Sequence, residues 1–119
     1  MKIHYQGIPG CYSLAAIQKF FKFSNTISNN TFKDVFLNIH DDYGFIPIEN
    51  VSGGRIEDNF KYLIEYNFNI LGEYNYLVEH SLLSLEKTKN ENSIVISHPQ
   101  ALKQCDNYII NNKLISNEY

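Results

Sequence analysis

Basic charge is scarce in this chain. Lys and Arg together number 10 against 13 Asp and Glu, and Arg55 is the sole arginine among 119 residues. A formal net charge of −3 argues against a nucleic-acid binder, which needs a basic face to displace phosphate counterions. Long apolar runs are missing as well. No segment approaches the roughly 20 residues of a membrane-spanning helix, so no membrane partner is expected. Met1-Lys2-Ile3-His4-Tyr5 lacks the apolar core of a secretory leader. Cysteine is limited to Cys11 and Cys105, too far apart for any metal-ligand spacing. They read as reduced thiols of a cytoplasmic protein, and no metal is expected. No internal repeat occurs, and Gly7-Ile8-Pro9-Gly10 lacks the spacing of a dinucleotide or P-loop fingerprint.

What is present is a modest globular chain, 44% hydrophobic and 14% aromatic, large enough for one small core. Its organising stretch runs from Asp42 to Ile56. Tyr43 to Ile48 is aromatic and β-branched and reads as a buried strand ending near Pro47, which cannot donate to a ladder. Glu49-Asn50 then presents a carboxylate and an amide at the strand's carboxyl end, the edge where open α/β sheets bind ligands. Gly53-Gly54 frees the backbone, and a helix is predicted from about Arg55. Its N-terminus would suit an anion. An ordinary strand–turn–helix with a solvated loop fits the same residues.

The pattern of strand, glycine turn and helix occurs elsewhere. Ile3 to Gln6 reads as a first strand and Tyr12 to Phe23 as a helix with Leu14, Ile17, Phe20 and Phe21 on one face. Ser13 in its first turn either caps the helix or faces a ligand. A short strand around Thr26-Ile27 precedes a helix from Phe32 to about His40, capped by Asn30 or Thr31, with Val35, Phe36 and Ile39 inward. Asp41 and Asp42 read as solvated turn residues. The helix after Gly54 is expected to bury Ile56, Phe60, Leu63 and Ile64. Phe68 to Leu85 reads as a long strand passing from one sheet to another near Gly72-Glu73. After a charged loop over 86–92, Ser93 to Ser97 reads as a buried strand. A helix then runs from Pro99 to about Asn111, with Leu102, Cys105, Tyr108 and Ile109 inward. His98 at that turn can act as a proton donor, a ligand contact or a cap. His4, His40 and His80 read as structural. Glu49 can be paired on paper with Asp34, Asp42 or Glu73 as an acid/base couple, and the spacing selects none. Strands alternating with helices predict an α/β domain with a largely parallel sheet.

Three motifs together resemble the prephenate dehydratase family and its relative arogenate dehydratase. They are Tyr5-Gln6-Gly7-Ile8-Pro9-Gly10-Cys11-Tyr12-Ser13, Pro47-Ile48-Glu49-Asn50-Val51-Ser52-Gly53-Gly54-Arg55-Ile56 and Ser97-His98-Pro99-Gln100-Ala101-Leu102-Lys103-Gln104-Cys105. Ile70-Leu71-Gly72-Glu73 and Glu79-His80-Ser81-Leu82-Leu83 match in order between them. The resemblance implies a fold like the type II periplasmic binding proteins: two α/β subdomains with mainly parallel sheets, here 1–73 and an incomplete 74–119, and a ligand cleft. It implies decarboxylating dehydration of prephenate to phenylpyruvate, in phenylalanine synthesis, without cofactor or metal. The implied substrate contacts are Gly10, Tyr12, Ser13, Glu49, Asn50, Ser52, Gly53, Gly54, Arg55, His98 and Gln100, with His98 a candidate acid.

The chain departs from the family at several points. Val51 stands where the family usually has Ser or Thr, so Ser52 supplies the neighbouring hydroxyl. Arg55 replaces a small residue and Ser81 a frequent cysteine. The family domain continues for roughly another 60–80 residues, including a Thr-Arg-Phe segment whose threonine is held essential. A second polypeptide completing the domain, or a homodimer, is therefore expected. The alternative is a non-catalytic remnant that binds a small aromatic or dicarboxylic acid.

Overall fold

A computed structural model of the chain describes residues 1–22, 25–88 and 90–119. Phe23, at the expected end of the first helix, Ser24 and Lys89 lie outside the described residues. Two units divide the chain, Met1–Leu77 and Val78–Tyr119. It is a mixed α/β protein whose sheets are mainly parallel.

In the first unit, β1 (Lys2–Gln6) is the middle strand of a three-stranded sheet ordered β2-β1-β3. Its partners β2 (Asn25–Asn29) and β3 (Tyr43–Phe45) both run parallel to it. Ile3, His4 and Tyr5 are all buried, so both faces of β1 are covered. Ile3 and Tyr5 pack with Ile17 of α1 (Tyr12–Phe20), joined by Leu14, Phe21 and Phe45. The opposite face carries His4 and its ladder partner Gly44. Here α2 (Phe32–Asn38) packs with Val35 fully buried. A Cβ on Gly44 would overlap Ile39 Cδ1, so the close approach of strand and helix requires glycine there. Thr31 caps α2 in a full capping box: it accepts from the Asp34 N–H at 3.1 Å, and Asp34 accepts from the Thr31 N–H at 3.0 Å.

The helix predicted from Arg55 starts later. Glu49 to Arg55 folds instead as a tight antiparallel hairpin of β4 (Glu49–Asn50) and β5 (Gly54–Arg55), and α3 spans Glu57–Glu65. Strand β3 ends two residues before Pro47, whose missing N–H precludes further ladder bonds. Buried Asn59 leads the inward face of α3, followed by half-buried Tyr62, Leu63 and Tyr66. Ile64, expected inside, is 82% exposed. At about 100° per residue it falls far from the Asn59–Tyr62–Tyr66 line. The rings of Tyr62, Tyr66 and Phe68 surround Phe36 at centroid distances of 5.4, 6.2 and 5.9 Å.

The long strand predicted over Phe68–Leu85 does not form. Residues 68–84, all described, adopt neither helix nor strand. The pattern is strand-like, but a strand exists only where another one meets its N–H and C=O groups. The segment is held instead by rings: Tyr74 packs on Phe20 at 4.8 Å and Phe21 at 5.0 Å.

In the second unit, β6 (Ile94–Ser97) pairs in parallel with β7 (Ile115–Glu118), a strand that the polar Ile-Ser-Asn-Glu run did not announce. The helix expected over Pro99–Asn111 breaks at Cys105 into α4 (Pro99–Gln104) and α5 (Asp106–Asn111). Leu102, Ile109 and Leu114 form the core with Val95 and Cys105 against it. Strand β6 is not buried as expected: Ile94 and Ile96 are 62% and 61% exposed. Tyr108, predicted inward, is 49% exposed. Alternate side chains of β6 face opposite sides, and the two helices cover the Val95 side.

Candidate functional site

The strand order β2-β1-β3 places a topological switch point between β1 and β3. Chain leaving β1 goes to β2 on one side, and chain leaving β2 returns to the other side. Loops after such strands diverge and leave a crevice at the carboxyl edge of the sheet. Because β1 and β3 are parallel and in register, with Tyr5 opposite Phe45, both leave the sheet at that edge. Strand β1 feeds the Gly7–Gly10 turn, and β3 feeds the Pro47–Arg55 segment.

At the first of these, Gly10 has φ +96° and Cys11 is the N-cap of α1. Cys11 forms no side-chain cap hydrogen bond, and Ser13 lies inside the first turn rather than at the cap position, which corrects the capping expectation. Tyr12 is 41% exposed, with its ring 6.4 Å from that of Tyr76.

At the second, the hairpin is closed by the Gly53 N–H donating to the Asn50 carbonyl at 3.0 Å. Asn50 Oδ1 also accepts from the Ser52 N–H at 3.1 Å and from the Ser52 hydroxyl at 2.9 Å. The Ser52 hydroxyl is thus turned back onto Asn50, and Val51 projects wholly into solvent at the tip. Gly54 follows at φ +76°, a left-handed conformation that closes hairpins of this length and favours glycine. Glu49 and Arg55 are directly opposed across the ladder, both exposed. The Arg55 guanidinium lies 5.6 Å from the centre of the Phe60 ring, a cation–π distance.

The helix behind the hairpin is poorly suited to the anion foreseen for it. Its first turn already holds Glu57 and Asp58, which occupy the positive end of the dipole. Gly53 to Arg55 belong to the hairpin and offer no helical N–H groups.

Two of the carboxylates that could pair with Glu49 on paper are committed elsewhere. Asp34 is tied up in the α2 cap. Asp42 is not a solvated turn residue: it accepts from the Lys2 N–H at 2.9 Å and lies 3.7 Å from His4 Nε2. The Lys2 N–H bond holds its carboxyl below the usual aspartate range, burial opposes this, and the nearby positive charges of Lys2, the N-terminus and His4 add to the lowering. Asp42 precedes β3 and Lys2 begins β1, so this clamp sits at the amino edge of the sheet, away from the switch-point loops. Sequence reasoning missed it because the partners are 40 residues apart.

In the second unit, His98 is the N-cap of α4. Its Nδ1 accepts from the Gln100 N–H at 3.2 Å, and Pro99 takes the first helical position. His80, read as structural with no partner in view, has Nε2 2.6 Å from Gln104 Oε1. A groove of about 490 Å³ lies between residues 82–88 and β6, lined by Leu82, Leu83, Val95, Tyr108 and Leu114. No site residue foreseen from the sequence lines it. No group of three metal-ligating side chains occurs among the described residues, and none of their helices is long and apolar enough to cross a membrane.

An α/β unit with a β1/β3 switch point defines the class of protein. The family model described as prephenate dehydratase matches residues 3–118. "Arogenate dehydratase/prephenate dehydratase 1, chloroplastic" of Arabidopsis thaliana is 37% identical over 115 residues, covering 93% of this chain and 29% of that protein. Arogenate dehydratase 1 of Petunia hybrida is 37% identical over 110 residues, covering 89% and 26%. The solved structure of GqqA, described as a novel type of quorum quenching acylase, superposes with a TM-score of 0.79 at 28% identity, covering 100% of this chain and 45% of that one. This chain belongs to the prephenate dehydratase family. It spans less than a third of the curated relatives it matches and under half of the solved one. The cytoplasmic placement foreseen from the sequence is corrected: several similar Arabidopsis thaliana proteins are chloroplastic by name. That placement rests on two cysteines read as reduced thiols and on what the first few residues lack, neither of which carries positive information about a compartment.

Proposed function

We propose that the chain contributes the substrate-binding part of a dehydratase acting on prephenate, within a domain of type II periplasmic-binding-protein kind. The observation that carries this reading is the Pro-Ile-Glu-Asn segment, folded into a hairpin at the carboxyl edge beside the Gly7–Gly10 turn. In the reaction the substrate loses its ring carboxylate as carbon dioxide and its ring hydroxyl as water. One proton is taken up by the departing hydroxyl, and aromatisation of the ring drives the step. No cofactor is needed. The binding contacts proposed are Gly10, Tyr12, Ser13, Glu49, Asn50, Ser52, Gly53, Gly54 and Arg55, with His98 and Gln100 from the later stretch. Arg55, the sole arginine, suits a substrate carboxylate by its paired N–H donors. His98 is the candidate proton donor. With Nδ1 accepting from the Gln100 N–H, its neutral form carries hydrogen on Nε2 and can hydrogen-bond the departing hydroxyl. Giving a proton up requires the imidazolium, and so release of the cap bond.

The subdomain limits 1–73 and 74–119 belong to the same proposal, as does completion of the domain by a second polypeptide or a second copy. Arogenate is the second reading for the substrate, favoured by relatives from Petunia hybrida named for arogenate alone.

Titration calorimetry with prephenate and arogenate, beside an assay for phenylpyruvate or phenylalanine, tests these readings. Binding with turnover supports the dehydratase. Binding without turnover supports a binding remnant, and no binding of either acid removes the proposal. Asn50→Ala and Gly54→Val are expected to abolish binding with little loss of helix content. If both bind as wild type does, the site is misplaced.

A further inference from the structure

Among the described residues of the first unit, Asn59 is the most deeply buried polar side chain, with 0% exposure. Its Nδ2 donates to the Pro47 carbonyl at 2.8 Å. Its Oδ1 is buried and has no hydrogen-bond partner. A residue chosen solely to seat α3 would be apolar, because an orphaned buried acceptor costs stability that a leucine there would not. The donor half of the amide is therefore the informative half.

Its acceptor lies on the link that carries the site. Strand β3 ends at Phe45 and β4 begins at Glu49, so Ile46-Pro47-Ile48 leaves the sheet without ladder support. Two hydrogen bonds tie this link to the start of α3. The Ile56 N–H donates to the Ile48 carbonyl at 2.9 Å, and Asn59 Nδ2 donates to the Pro47 carbonyl. The first bond is part of the hairpin's own closure. The second comes from the body of α3, and the Asn59 backbone N–H is itself held by the Ile56 carbonyl at 3.0 Å. With one anchor the hairpin can pivot about the Ile48–Ile56 pair. With two it has a defined angle to the helix.

We propose that Asn59 is a positioning residue, whose buried amide latches the Pro47 carbonyl and so sets the placement of the Glu49–Arg55 hairpin on α3. Its consequence for ligand binding rests on the prephenate reading above, whereas the latch itself does not. Asn59→Leu keeps the bulk and removes both the donor and the orphaned oxygen. Asn59→Asp keeps the shape and, when ionised, removes the donor.

The experiment uses the full chain and follows amide hydrogen exchange by NMR, with prephenate titration alongside. In both variants exchange at the Ile56 N–H should quicken by about tenfold, while that of Tyr5 in the central strand stays unchanged. Prephenate affinity should fall by about tenfold, the size of one lost hydrogen bond. A residue that only filled space would move neither readout in Asn59→Leu, which keeps the bulk and buries no charge. Wild-type exchange at Ile56 in these variants overturns the proposal. Should neither variant fold, the wild-type chain still decides: slowly exchanging Asn59 side-chain protons support the latch, and exchange at the rate of a free amide overturns it. If the wild type binds neither prephenate nor arogenate, the dehydratase reading falls and the exchange result alone judges the latch.

Discussion

Both units build parallel sheets, and they reach different degrees of burial. In the first, the central strand β1 is covered on both faces, and Ile17 and Val35 are fully inaccessible. In the second, two strands have helices over one face, Ile94 and Ile96 stand open, and no core side chain is less than 5% exposed. Parallel sheets are stable when both faces are covered, and two strands alone are marginal. The first unit thus encloses its central strand in a core. The second presents apolar surface of the kind that a further layer of protein covers in longer α/β domains.

The contrast between the units is sharpest at the cores. Ile17→Ala should lower stability by about 2–5 kcal/mol, whereas Ile96→Ala, on the open face, should stay within about 0.5 kcal/mol. Urea unfolding read through residue-resolved probes in each unit measures both. Equal losses would show that the open face is covered in solution. Next comes Gly44→Ala, which pushes a methyl against Ile39 and should cost about 1–3 kcal/mol, measured by the same transition.

Electrostatics give a smaller contrast. The Asp42 carboxyl is held low, so its contribution is complete above the ordinary aspartate range. It is lost as pH falls through its lowered folded value. Asp42→Asn should therefore be less stable than wild type at neutral pH, and the gap should close in acid. A gap independent of pH would mean that shape rather than charge matters there. Smallest of all is Glu91→Gln. Its ion pair with Lys113 at 2.8 Å is largely exposed on both sides, and loss should cost less than about 1 kcal/mol and vanish in high salt.

Much of the first unit was legible in the chain. A cap at Asn30 or Thr31, the Leu14–Ile17–Phe21 face and the end of the strand near Pro47 each arise from contacts within a few residues. That Thr31 is the cap, with Asp34 completing a box, came from the structure. The hairpin was not legible, since Glu49 and Arg55 meet through a ladder that no local preference announces, and the glycines there suit a helix entry equally well. Ile64 was misassigned because two neighbouring stripes of α3 are both apolar, and the position of α2 chooses between them. The same limit applies to residues 68–84, whose alternation suits a strand but whose partner cannot be read from their own pattern.

What the sequence by itself determined is the family, the α/β class and the short-range devices: caps, turns and helix faces. These depend on side chains within one or two turns of each other, so they are written in consecutive residues. The tertiary structure alone decided the β2-β1-β3 order, the switch-point edge, the Asp42 clamp and the Asn59 latch. The clamp and the latch join groups 40 and 12 residues apart, and the strand order joins whole elements across the first unit. The reason is physical: burial and ladder bonding are properties of pairs of elements, and a single element's sequence specifies only the face it offers.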